Sequence, residues 1–213
     1  MMVDPSNQAP HAPSGHSRIL SSRVEDLSTA ALALRRGELV AIPTETVYGL
    51  AANALSSEAV AQVFEAKGRP HFDPLIVHVP TRVAAGGLKM LARLGWIDTD
   101  QMGEDETRIL NRLIEKFWPG PLTLVLPRNA ERIPDLVTSG GPTVAMRCPA
   151  HPVAQSILEL AEIPLAAPSA NRFGSMSPTS AAHVEQELGD RIHWIVDGGP
   201  CSVGVESTVV RFE

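Results

Sequence analysis

The rhythm of this sequence constrains its fold more than any motif: short apolar runs suited to buried strands alternate with segments of helical spacing. Strands are predicted at Glu38–Ile42, Leu75–Val79, Leu122–Leu126, Thr143–Arg147, Leu165–Ala167, Trp194–Val196 and Thr208–Val210. Helices are predicted between them, over Ser57–Lys67, a stretch running to Leu94, Thr107–Phe117, Val153–Ala161 and Ser180–Leu188. Runs apolar on both faces need cover from both sides. Strands interleaved with helices therefore predict an α/β fold (α+β in some schemes) in three layers, a twisted sheet with helices on both faces. The few back-to-back strands make the sheet mixed rather than purely parallel.

Punctuation supports these boundaries. Ser22 with Glu25 fits a capping box for a first helix, with Val24, Leu27, Ala31 and Leu34 on one face and Gly37 as its stop. Gly68 plays the same part after Lys67, and Trp118-Pro119-Gly120-Pro121 ends the helix before it. Residues 1–17 carry Pro, Ser, Asn, Gln and His with almost no apolar content, so burial does not offset their ordering entropy; a disordered tail is expected, followed by one domain over 18–213. Gly95–Glu106 holds five acidic residues and no apolar period, and is read as a solvated excursion without an assigned role.

Composition enters as a set of exclusions. With 44% hydrophobic and 20% charged residues in 213, the chain is an ordinary globular one. It has no apolar run of about 18 residues, so no membrane span is expected. Cys148 and Cys201 lack C-x-x-C spacing, and no basic segment leads into an apolar one at the start, so a cytoplasmic location is expected. Net charge −6 disfavours bulk attraction to nucleic acid, which rests on cations releasing phosphate counterions, although a local basic groove stays open.

The chain has no G-x-x-x-x-G-K-[ST] loop, no G-x-G-x-x-G after a strand and no H-E-x-x-H. Its polar clusters instead fall where predicted strands or helices end: Thr44-Glu45-Thr46, Lys67-Gly68-Arg69, His78, Arg147, Ser169-Ala170-Asn171, Asp197-Gly198-Gly199 and Glu206-Ser207-Thr208. Strand ends of open α/β sheets are where ligands bind. Lys67 and Arg69 suit polyphosphate, or else answer a helix C-terminal dipole. Ser169 and Asn171 offer a hydroxyl and an amide, or else shape a turn. Arg147 ends an apolar strand and needs a carboxylate, a phosphate or water, a structural salt bridge being the plainer reading. His78 inside a strand reads first as a satisfied core histidine; His11, His16, His71, His151, His183 and His193 show no metal spacing with it. Asp197-Gly198-Gly199-Pro200 has turn composition, and neither cysteine has a sequence-local histidine to act as its base.

Taken together, PTETVYGLAANA (43–54), AKGRPHFDPLIVHV (66–79), WPGPLTLVL (118–126), TVAMRCPAHP (143–152), APSAN (167–171) and DGGPCSVGVEST (197–208) resemble the YrdC family, the L-threonylcarbamoyl-AMP synthases of tRNA modification. The resemblance spans about Val24 to Val210. It implies a YrdC/RibB-like sheet with a concave groove and a nucleotidyltransferase reaction joining L-threonine, bicarbonate and ATP, with Mg²⁺, into threonylcarbamoyl-AMP and pyrophosphate. A threonylcarbamoyltransferase complex would then carry the group to tRNA. By the same resemblance Lys67, Arg69, Ser169 and Asn171 are the catalytic, phosphate-holding tetrad, with Asp73, Thr143 and Ala167 completing the ATP site. Thr46, His78, Arg147 and Ser207 would hold threonine, Arg147 on its carboxylate. No dedicated general base and no metal ligand is named. The resemblance also implies the short, single-domain type. Family members often continue past the Val-Glu-Ser-Thr block into a leucine-arginine-proline-glycine segment that closes over the nucleotide, whereas this sequence stops at Arg211-Phe212-Glu213. The alternatives are a module that binds double-stranded RNA or tRNA weakly without synthase activity, and a carbamoyl-phosphate-processing domain of the hydrogenase-maturation kind.

Overall fold

The computed structural model describes residues 17–100 and 102–212. The expected tail lies outside the described residues except for Ser17, whose backbone N–H donates to Gly189 O at 3.1 Å.

The chain runs β1 (Arg18–Leu20), α1 (Val24–Arg35), β2 (Val40–Ile42), β3 (Gly49–Asn53), α2 (Ser57–Lys67), β4 (Ile76–His78), α3 (Thr81–Ala84), α4 (Gly87–Arg93) and α5 (Glu104–Phe117). It continues through β5 (Leu122–Pro127), α6 (Asp135–Thr138), β6 (Thr143–Arg147), α7 (Pro152–Ala161), β7 (Leu165–Ala166), α8 (Ala181–Leu188), β8 (Trp194–Val196) and β9 (Thr208–Arg211). Among the described residues, nine strands form one sheet in the order β1-β8-β2-β3-β7-β4-β6-β5-β9. Parallel pairs (β4 with β6, β5 with β9, β8 with β1 and β2) are mixed with antiparallel ones (β2 with β3, β3 and β4 with β7, β5 with β6), as the sequence pattern predicts.

Successive strand side chains point to opposite faces, and both faces are buried. Ala41, Leu50 and Ala52 join Phe64 of α2, Leu88 of α4 and Leu110 of α5 in one core. Val40, Ile42 and Ala51 join Leu34 of α1 and Leu158 of α7 in the other. These are the expected three layers. Among the described residues, no helix is long and apolar enough to cross a membrane.

Several local expectations are corrected. The α1 N-cap is Arg23, without a side-chain cap, so Ser22 and Glu25 make no capping box; Asp26 Oδ2 instead accepts from the Ser21 backbone N–H at 2.8 Å. Val24, one residue into the helix, is 68% exposed rather than inward. The stretch before Leu94 is two helices, α3 and α4, broken at Gly86-Gly87, where Gly87 takes φ +59°. The supposed solvated excursion is partly core: Trp96 and Ile97 are buried, and Ile97 bridges Arg128. Its acidic triplet Glu104, Asp105 and Glu106 forms the first turn of α5, where carboxylates complement the helix dipole. That is why α5 starts three residues before the predicted Thr107. Strands β1 and β3 and the short α6 lacked a sequence signal, β3 because Gly49-Leu50-Ala51-Ala52-Asn53 is dominated by residues depleted in strands.

Candidate active site

The strand order brings the polar clusters together. β4 and β6 are parallel neighbours in a register that sets His78 beside Arg147. β7 lies on the other side of β4, so the Ala167-Pro168-Ser169 segment leaving it borders the same place. Ser169 bridges Gly49 at the start of β3, where an added Cβ would sit 3.3 Å from that of Ala167, a contact tight enough that the neighbour would have to give slightly. At the end of β2, Thr44 Oγ1 accepts the backbone N–H groups of Thr46 and Val47, each at 3.2 Å, folding the Thr-Glu-Thr segment into a tight turn.

These pieces line an open cavity of about 100 Å³. Its inner end is formed by Thr46, His78 and Arg147, all buried, with Ser207 beside them. Arg147 is held on three sides: Nη1 donates to Thr46 Oγ1 at 2.9 Å, Nε donates to Gly120 O at 3.2 Å, and Nη2 lies 2.7 Å from Glu45 Oε1. This last contact is off the line of a hydrogen bond, so the attraction is chiefly Coulombic. The salt bridge read from sequence and the cavity-lining guanidinium are thus the same residue. Burial, reinforced by the Arg147 charge, pushes the His78 pKa down to about 3, so its ring is neutral at pH 7. His78 Nδ1 is buried without an aligned hydrogen-bond partner while the ring lines the cavity, so the satisfied-core reading is incomplete and a polar atom is left for a ligand. Ser207 Oγ shares a 2.7 Å hydrogen bond with Thr123 Oγ1.

The outer end carries Arg69, Ala167, Ser169 and Glu206. Arg69 pairs with Asp73 Oδ2 at 2.8 Å and donates to Pro74 O at 3.1 Å; burial holds its pKa below the usual arginine value. Lys67 sits behind this wall. Its ammonium donates to Ser169 O at 2.6 Å and to Asn171 O, and burial, then the Arg69 charge, pushes its pKa down to about 8. Asn171 Nδ2 donates to Arg172 O at 2.9 Å and Ser175 O at 2.6 Å. Lys67 and Asn171 therefore brace the Ser-Ala-Asn turn, with Ser169 facing the cavity.

Thr46, Arg69, His78, Arg147, Ala167, Ser169 and Ser207 thus line one cavity, while Lys67, Asp73 and Asn171 adjoin it from behind. Thr143 is not brought to it: it begins β6 opposite Pro127, four residues or roughly 13 Å of strand before Arg147. Glu45 and Glu206 were missed as candidates, although both stand inside polar clusters that the sequence displays. Burial pushes the Cys148 thiol up to about 11 and raises Cys201 as well, which keeps both from acting as thiolates at neutral pH. Among the described residues, no group of three or more His, Cys, Asp or Glu side chains is placed to hold a metal ion.

The segment carrying Glu206 and Ser207 is fastened to the turn after β2. Val203 N–H donates to Glu45 O at 2.8 Å and Gly204 N–H to Thr46 O at 3.0 Å. Further back, the Tyr48 hydroxyl donates to Gly199 O at 2.7 Å. A Cβ on Gly198 would lie 2.6 Å from Pro43 Cγ, so Gly198→Ala is expected to cost about 1–3 kcal/mol in an unfolding titration by overpacking this junction. A variant as stable as the parent would show that the junction yields freely.

The structure is a mixed α/β sheet whose strand ends gather two arginines, a neutral histidine with an unpartnered Nδ1 and a row of hydroxyls around one cavity. The chain belongs to the Sua5/YciO/YrdC family: the family model, described as telomere recombination, matches residues 32–213. A threonylcarbamoyl-AMP synthase of Pyrococcus abyssi is 48% identical over 190 residues, covering 88% of this chain and 52% of that protein. One from Bacillus subtilis is 45% identical over 195 residues, covering 90% and 51% respectively. The structure of P. abyssi Sua5 complexed with L-threonine superposes with a TM-score of 0.82 at 44% identity, covering 92% of this chain and 54% of that one. The chain spans about half the length of these relatives.

Proposed function

We propose that this chain makes threonylcarbamoyl-AMP from L-threonine, bicarbonate and ATP, releasing pyrophosphate, and so acts as a nucleotidyltransferase in tRNA modification. The observation that carries the reading is one cavity with two chemistries: a buried arginine, histidine and threonine at its inner end, and Arg69 with Ser169 at its outer end. The relative solved with L-threonine supports the amino acid as the inner occupant.

In this reading Arg147 binds the threonine carboxylate by a charge-assisted contact. Thr46, Ser207 and the neutral His78 ring surround the substrate hydroxyl, and leaving those groups unpaired disfavours an apolar isostere such as valine. The substrate amine attacks bicarbonate carbon with loss of water, giving a carbamate. A carbamate oxygen then attacks the α-phosphorus of ATP as the bond to pyrophosphate breaks. Arg69 and the Ser169 hydroxyl stabilise charge growing on the phosphoryl oxygens. Lys67 and Asn171 hold the turn that presents Ser169, Asp73 steadies the Arg69 fork, and Ala167 borders the nucleotide. Mg²⁺ carried on the triphosphate would neutralise phosphate charge, with Glu206 as the acidic side chain lining the cavity. Rate then comes mainly from positioning three substrates. The product would pass to a threonylcarbamoyltransferase complex.

The test is pyrophosphate release with each substrate omitted in turn. Release is expected to require threonine, bicarbonate and ATP together, and Arg69→Ala should slow it about 100-fold or more by removing one charge stabiliser. Release that ignores threonine, or none from folded protein, would overturn the proposal.

A further inference from the structure

Glu45 stands beside the cavity without lining it. It is a carboxylate in the middle of the tight turn after β2, nearly as buried as the arginine it touches: the two side chains are 11% and 4% exposed. Both of its oxygens are buried without an aligned hydrogen bond, and so is Arg147 Nη2. A buried carboxylate without aligned hydrogen-bond donors needs a neighbouring cation to offset its desolvation, and Arg147 is such a cation, 2.7 Å away. Thr44, Thr46 and Arg147 all line the cavity, whereas Glu45 does not. The carboxylate thus meets the guanidinium at Nη2 without itself lining the cavity.

That placement has a directional consequence. Nε of Arg147 is engaged by Gly120 O and Nη1 by Thr46 Oγ1. Without Glu45, the buried guanidinium would keep two neutral acceptors, Gly120 O and Thr46 Oγ1, but would lose the counter-charge beside Nη2. The backbone of Glu45 adds a second link, because its carbonyl accepts Val203 N–H at 2.8 Å and so anchors the segment that carries Ser207.

We infer that Glu45 is a positioning residue for amino-acid recognition: its carboxylate pins the Arg147 guanidinium at Nη2 and aims it at the substrate carboxylate. The inference rests on the amino-acid reading of the inner cavity given above. It assigns Glu45 no contact with substrate and no part in phosphoryl transfer. Its removal should weaken threonine binding and leave the nucleotide end of the cavity unaffected.

The experiment is calorimetric titration of the full chain with L-threonine and, separately, with ATP and Mg²⁺, for the parent and for Glu45→Gln. Glu45→Gln keeps the shape of the side chain and removes its charge. The expected result is a threonine Kd raised at least tenfold, an ATP Kd within twofold, and a KM for threonine raised while kcat stays within threefold. A purely structural role would instead move both ligands and kcat together, and that outcome overturns the inference. So does a threonine Kd within twofold of the parent. If Glu45→Gln fails to fold, Glu45→Asp serves: it keeps the buried charge but draws it back by one methylene, and the same selective loss of threonine affinity is expected. Parent-like threonine binding by Glu45→Asp then counts against the inference. Failure of the parent itself to bind threonine would reject the functional reading beneath it, an outcome distinct from any behaviour of the variants.

Discussion

Arg147→Ala is expected to raise the threonine requirement by about 100-fold or more while changing the ATP requirement by less than about threefold, since truncating one partner of a buried charge contact costs roughly 2–5 kcal/mol. The asymmetry follows from position: Arg147 ends β6 at the inner cavity, and Arg69 and Ser169 stand at the outer end. The same substitution also strands Glu45. A buried carboxylate left without its cation destabilises the fold by about 3–5 kcal/mol, so the variant should unfold at markedly lower denaturant. The two consequences separate in the double variant. Adding Glu45→Gln to Arg147→Ala should recover much of the stability and none of the threonine affinity. Steady-state kinetics with each substrate varied, alongside urea titrations, checks both. Equal damage to threonine and ATP would remove Arg147 from its assigned end of the cavity.

The second large effect is on acid stability. His78 titrates near 3 in the folded chain because burial and the Arg147 charge disfavour the imidazolium, against about 6.5 for an exposed ring. Between those values the unfolded chain binds a proton that the native chain does not, so stability falls as pH falls. The contribution is complete above about pH 6.5 and is lost progressively toward pH 3, on the order of a few kcal/mol in all. Denaturant titrations at a series of pH values should show the parent losing stability between pH 7 and pH 4 more steeply than His78→Gln, which has nothing to protonate there. Parallel slopes would mean that the ring is protonated in the native chain or solvated. Under the proposed function the same neutrality would serve recognition, because a neutral imidazole offers both a donor and an acceptor, whereas the imidazolium only donates.

Much of the sheet was legible because Ile76-Val77 and Thr143-Val144 carry the β-branched residues that strands favour. β3 was not, and the reason is physical: wedged between two helical layers and close to Ala167, it is built from glycine and alanine, whose small volumes meet the packing and erase the strand signal. The acidic run before α5 misled for the opposite reason. Its charges belong to a helix N-terminus, and the burial of Trp96 and Ile97 depends on β5, distant in sequence. At the site, sequence located the polar clusters but not the direction of each donor. Lys67 and Arg69 stand two positions apart, yet one ammonium is spent on the carbonyls of Ser169 and Asn171 while the other cation borders the cavity. Glu45 was passed over because its partner lies far along the chain, and no spacing rule links residues 45 and 147.

The strand order carries one more consequence, for how the domain comes into being. β8 inserts between β1 and β2, and β9 closes the sheet beside β5, so the earliest and latest segments of the domain are intimate neighbours. The cavity itself is drawn from residues between Thr44 and Ser207. Folds dominated by such distant pairings mature slowly, in about milliseconds to seconds. On a ribosome the inner cavity stays incomplete until Ser207 has emerged and been fastened over the turn at Glu45 and Thr46. Under the proposed function, threonine capture would therefore report a finished domain, because Arg147 at the end of β6 and Ser207 just before β9 must both be in place.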